Sequence, residues 1–112
     1  MPWFHFVAYF FGGAFFANFV PHFVSGVLGR MFPTPFASPP FRGLSSSRVN
    51  VAYGLCNLAV AYALLSRVGA FEPRSALHAS AFGLGLAAMS LMIARSLARS
   101  QGAGPDPIGR AG

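Results

Sequence analysis

Asn18 and His22 stand four residues apart inside a phenylalanine-rich run, AFFANFVPHFVSGVLGR, residues 14–30. That spacing puts both side chains on one face of a helix, and Ala14 and Gly26 extend the face in either direction. A second set, Asn50, Tyr53, Gly54, Asn57 and Ala61, follows the i, i+3, i+4, i+7 rule of a single helix face. Amides, an imidazole and a phenol at similar depth can do one of two things. They can bond two helices together, each hydrogen bond contributing on the order of 0.6 kcal/mol in a bilayer. Or they can line a polar pocket for a headgroup, a quinone or a small solute, because polar groups within apolar spans are candidate functional sites.

Two further imidazoles, His5 and His78, fall near the starts of the first and third apolar stretches. If those starts share one side of a bundle, the pair could serve as axial ligands of a b-type haem. No Cys or carboxylate joins them, so a zinc or other metal site is not expected. Cys56 lies in an apolar run with no base beside it and reads as an inert small hydrophobe. Catalytic patterns are missing as well. No carboxylate lies in an apolar stretch, and neither a phosphate-binding glycine loop nor an H-E-x-x-H or G-x-S-x-G pattern occurs. An enzyme is not expected.

The elements that must position these groups follow from composition. The chain of 112 residues is 54% hydrophobic and only 9% charged, and a soluble domain of this size cannot hide that much apolar surface. Three stretches free of Asp, Glu, Lys and Arg are long enough to cross a bilayer, which takes about 20 residues. They lie at about 3–20 (continuing, bent, to 29), 49–66 and 76–94. They lack the two-residue alternation of barrel strands, so the expected fold is all-α, with three transmembrane helices at about 3–29, 48–67 and 74–97. Together these make one domain, residues 1–100, followed by a Gly/Pro-rich tail at 101–112 read as flexible. The N-terminus lacks the basic region and small-residue site of a secretory signal and reads as a mature first span.

Local signals refine these bounds. Pro21 removes a backbone donor and predicts a kink in the first helix. Ser45, Ser46 and Ser47 offer a hydroxyl cap for the second helix. Gly69 suits its end, and Pro73 suits the first turn of the third. Between helices one and two, RMFPTPFASPPFRGLSSS carries Pro33, Pro35, Pro39 and Pro40, which favours extended backbone without internal hydrogen bonds. Phe32, Phe36 and Phe41 recur along this loop, so it is expected to lie at the membrane interface or pack on the protein itself; the alternative is a strip read by a partner's aromatic groove.

Eight arginines and no lysine set the charge at +6. They fall singly at the edges of the apolar runs, which fits headgroup anchoring and excludes a nucleic-acid surface. Arg30, Arg42, Arg48, Arg95, Arg99 and Arg110 lie on the side of the first loop and C-terminus, against Arg67 and Arg74 on the other. The positive-inside rule therefore predicts a cytoplasmic first loop and C-terminus and an outside N-terminus. On helix three, Ala79, Gly83 and Ala87 recur every four residues, beside Gly85 and Ala88, as a ridge that permits close packing within the monomer or against another subunit.

The stretch ANFVPHFVSGVLGRMFPTPFASPPFRGLSSSRVNVAYGLCNL, residues 17–58, resembles a family of small bacterial integral membrane proteins. The resemblance rests on N-x-x-P-H-F, on F-P-x-P-F-A-x-P-P and on an asparagine-bearing second span, and it covers about half of the chain. It implies a multi-pass protein of the bacterial inner membrane and carries no mechanism, cofactor or site residue. Glycine is frequent in that family where this chain has Phe41, so the turn there is expected to differ. The functional expectation is an accessory subunit of a larger membrane complex, or a self-associating scaffold, with the bilayer and other subunits (or itself) as partners. The alternatives are a haem- or quinone-binding anchor in electron transfer and a small-solute transporter working as an oligomer.

Overall fold

The computed structural model describes residues 2–102, and the tail from 103 lies outside the described residues. The chain is all-helical, with α1 at Trp3–Val27, α2 at Ser47–Ala63 and α3 at Ala76–Gly102. A π-helical turn, Leu64–Val68, prolongs α2. All three helices are long and apolar enough to cross a membrane. At 1.5 Å per residue, α1 measures about 37 Å, more than the roughly 30 Å hydrocarbon layer.

Each helix end has a chemical cause. α1 stops where Gly29 takes φ 74°, the left-handed conformation that glycine adopts without a Cβ clash. Arg30 N–H then donates to Ser25 O and Gly29 N–H to Gly26 O, satisfying carbonyls the helix would otherwise leave open. Of the three serines before α2, Ser46 is the cap, its Oγ accepting from Val49 N–H at 3.2 Å. α3 starts later than Pro73 suggests. Ser75 caps it by accepting from His78 N–H at 3.3 Å, and Pro73 belongs to the turn before the helix.

α1 is the spine. It packs on α2 along one side and on α3 along another, while α2 and α3 make no backbone approach to each other among the described residues. Small residues set both crossings. Gly54 of α2 lies against the Phe19 and Phe23 backbone of α1, and Gly26 of α1 lies against Ser47 and Val51 of α2. On the other side, Gly13 of α1 meets Phe82 O, and Gly85 of α3 meets Phe10 O, so closely that a Cβ at either would collide with backbone. Pro21 sits inside α1, which continues helical to Val27.

This packing corrects the ridge inferred from the sequence. Ala79 and Ala87 are exposed, and a Cβ at Gly83 would meet nothing within 4 Å. The ridge Ala79–Gly83–Ala87 therefore points away from the other helices. The face that packs runs through Phe82 and Gly85; Gly85 is two residues from Gly83 and so nearly opposite it on a 3.6-residue turn.

The loop also departs from the extended strip its prolines suggest. Thr34 is fully buried and organises the segment: its carbonyl accepts from Ala37 N–H at 3.2 Å and Phe41 N–H at 2.9 Å. Its hydroxyl pairs with Ser45 Oγ at 2.6 Å and accepts from Phe36 N–H at 3.1 Å. Phe32 and Ser45 exchange two backbone bonds that close the loop's base. The prolines remove donors, but the N–H groups of Phe36, Ala37 and Phe41 converge on one threonine, and those of Arg42 and Gly43 meet at Pro39 O. Phe41 takes φ 64°, the region where a non-glycine residue is strained.

The two glycine environments make opposite demands on a side chain. Gly85→Leu is expected to cost about 1–3 kcal/mol or more through overpacking against α1. Gly83→Leu is expected to stay within about 0.5 kcal/mol in the monomer. Reversible unfolding in mixed micelles compares the two directly, and equal losses would contradict this packing.

Candidate functional site

The five polar residues singled out on α1 and α2 are brought together, in two hydrogen-bonded groups. Asn18 Nδ2 donates to Asn57 Oδ1 at 3.0 Å and to Tyr53 Oη at 3.4 Å. Asn57 Nδ2 donates to its own helix, at Tyr53 O, 2.8 Å away. One turn nearer the loop, His22 Nδ1 lies 2.8 Å from Asn50 Oδ1. The His22 ring also stands edge-on to Tyr53 and Phe32, with centroids 4.7 and 5.1 Å away.

Asn50 is the hub. It is fully buried, and its Nδ2 lies at 3.1 Å from Phe32 O, 3.2 Å from Ser45 O and 3.0 Å from Ser46 O. One side chain thus ties the start of α2 to both strands of the loop base and, through Oδ1, to α1. The sequence placed Asn50 on the correct helix face but held no signal for its loop partners. Those carbonyls belong to Phe32 and two serines, whose side chains do not reveal the bond. Thr34 was missed for the same reason: a single threonine among prolines has no pattern of its own.

Above this cluster the divergence of α2 and α3 leaves a partly enclosed cavity of about 370 Å³. Asn18, His22, Tyr53 and Asn57 form its polar floor. Phe32, Pro33 and Phe41 of the loop close one end, and Met89, Met92 and Ile93 of α3 form the opposite wall. Among the described residues no charged side chain lines it. Its volume falls at the lower end of the range for small-molecule pockets, and its mix of many apolar walls with a few convergent polar groups is the usual pattern.

At the other end of the bundle, His5 and His78 both pack against Tyr9, with ring centroids 6.4 and 4.6 Å from it. His78 is buried, and its Nδ1 accepts from Glu72 N–H at 3.0 Å, an anchor for the connection before α3. Phe6 and Phe71 fill the space around that ring. Both imidazoles therefore flank the Tyr9 ring, each tilted against it by about 45°. Among the described residues no group of three His, Cys, Asp or Glu gathers as a metal site. Cys56 is exposed on the outside of α2.

No family model, curated protein or solved structure matches the chain.

The two asparagines of α2 carry unequal loads. Asn50→Leu removes a fully buried amide that adds a bond to three carbonyls already held by backbone N–H groups, and it leaves the His22 imidazole nitrogen without its partner, whereas Asn57→Leu releases one amide contact to α1 and one carbonyl bonded within its helix. Losses of about 2–3 kcal/mol for Asn50→Leu and about 1 kcal/mol or less for Asn57→Leu are expected. Unfolding in micelles provides the comparison, and a larger loss for Asn57→Leu would reverse the assignment of the hub.

Proposed function

We propose that this chain is a small multi-pass membrane subunit whose task is binding. Its cleft between α2 and α3 receives a lipid-soluble small molecule from the bilayer. The observation that carries the reading is the cavity over Asn18, His22, Tyr53 and Asn57, which lies where α2 and α3 stand apart on either side of α1. Polar side chains whose only role was to join two helices would be expected at a sealed contact. Four of these five instead border open space.

The absence of charge among the lining residues supports a neutral occupant over a phospholipid phosphate. The reading places the loop and the C-terminus on the cytoplasmic side of a bacterial inner membrane. Six arginines against two support that orientation. Exposed Met31, Phe36 and Phe41 beside exposed Arg30 and Arg42 support an interfacial loop, with aromatic and cationic groups at headgroup depth.

A second reading, an accessory or self-associating structural subunit, is favoured by one observation: the Ala79–Gly83–Ala87 ridge is unused within the monomer. The two roles are compatible, since a binding subunit can dock through α3 while its cleft stays open.

Gentle purification from native membranes, followed by solvent extraction and mass spectrometry, tests the binding role. A neutral lipophilic compound is expected at about one per chain, and Ile93→Trp, which fills the cleft from α3, is expected to lose it. An extract holding only bulk lipids in bulk proportions, unchanged by Ile93→Trp, contradicts the proposal. The structural role is tested by cross-linking in membranes, where Gly83→Leu is expected to abolish any dimer.

A further inference from the structure

The hydrogen-bond network fixes which atoms the cleft offers to an occupant. Asn50 Nδ2 approaches three backbone carbonyls and must be the amide's donor end. Its Oδ1 is therefore an acceptor only, and the proton between Asn50 and His22 belongs to His22 Nδ1. A neutral imidazole protonated at Nδ1 carries a bare lone pair at Nε2. His22 is only 6% exposed, it lines the cavity, and Nε2 has no partner among the described residues.

The same reasoning orients the neighbouring amide. Asn57 Nδ2 donates to Tyr53 O, so Asn57 Oδ1 accepts and Asn18 must present its Nδ2 there. That leaves Asn18 Oδ1 as a second acceptor without a partner among the described residues, on a side chain that lines the cleft. Tyr53 Oη accepts from Asn18, and its own proton has no acceptor among the described residues. The floor therefore presents two acceptors and the Tyr53 hydroxyl, and Ser96 of α3 adds a second hydroxyl to the otherwise apolar lining.

We infer that the cleft is a binding site for a neutral lipophile bearing a hydroxyl headgroup, an alcohol or phenol whose O–H donates to His22 Nε2. The hydroxyl oxygen can in turn accept from Tyr53, so one group satisfies both. A quinone or ketone of the same shape can accept from the Tyr53 or Ser96 hydroxyl but brings no donor for His22 Nε2 or Asn18 Oδ1; the hydroquinone form does. A cavity of about 370 Å³ holds a ring or headgroup, and the apolar tail passes between α2 and α3 into the bilayer. Lipid alcohols and free phenols share this chemistry. The inference rests on the binding role proposed above and adds the polarity of the ligand.

Equilibrium binding to the full chain in lipid nanodiscs separates the two claims, with p-nonylphenol, its methyl ether and dioctanoylglycerol as ligands. The phenol is expected to bind at least tenfold more tightly than the ether, and His22→Phe, which keeps the ring but removes Nε2, is expected to reduce that ratio below twofold. Dioctanoylglycerol binding more tightly than the phenol assigns the site to a lipid alcohol, and the reverse order to a free phenol; either supports the hydroxyl. Equal, saturable binding of phenol and ether overturns the inference while leaving a binding cleft. No saturable binding of any of the three overturns both. Because His22→Phe could unfold the chain, nitrogen NMR of histidine-labelled wild type gives an independent reading. A proton on His22 Nδ1, with an Nε2 signal that shifts on adding the phenol and not the ether, is expected; a proton on Nε2 in the ligand-free protein overturns the inference.

Discussion

In hydrocarbon a polar group without a partner has no water to turn to, and this chain places an asparagine at the point where that constraint is hardest to meet. The base of the loop brings carbonyls of Phe32, Ser45 and Ser46 together, each with one backbone N–H and one lone pair to spare. Asn50 collects all three with one amide nitrogen, and its oxygen fixes His22 on α1. Each bond contributes modestly, since helix–helix bonds in membranes average about 0.6 kcal/mol. Their joint effect is geometric. The loop, α1 and α2 become one unit, and the imidazole is locked in one orientation and one tautomer.

Everything on the other side of α1 follows a different rule. The α1–α3 contact holds no buried polar network like that of Asn50; it depends on glycine. Gly13 and Gly85 allow backbone to meet backbone, and rings such as Phe16 and Phe82 pack beside the crossing. Because α1 is held to α2 by polar bonds and to α3 by close packing, the flanking helices need not touch each other. The cleft is the consequence. It opens where the polar floor lies and where the aromatic loop can cover one end. Tyr9 shows the limit of such packing at the far end of the bundle. Its hydroxyl is buried without a partner, while its ring satisfies Phe71 and His78 around it.

Much of this was legible in the residues. Charge-free runs give three spans, and i, i+3, i+4 spacing puts Asn18 and His22 opposite Asn50, Tyr53 and Asn57, because a helix converts spacing into direction. Where spacing could not choose, the reading went astray. α3 has alanine or glycine at 79, 81, 83, 85, 87 and 88, so small residues occur on several of its faces and period alone cannot pick the one that packs. What decides is the match of Gly85 to the Phe10 carbonyl across the interface. The loop was opaque for a related reason. Four prolines report what the backbone cannot do, whereas Thr34 and the carbonyls captured by Asn50 act through atoms that every residue shares.

The central claim is that His22 and Asn50 are joined by a direct bond within the membrane, and that this bond organises the site. A double-mutant cycle isolates it: wild type, His22→Ala, Asn50→Ala and the double variant, each unfolded reversibly in the same mixed micelles. The account expects the two changes to be non-additive, with a coupling of about 1 kcal/mol or more in the stabilising direction. Additivity within about 0.3 kcal/mol would mean that the two residues do not act together, and the account of the site would fall with it.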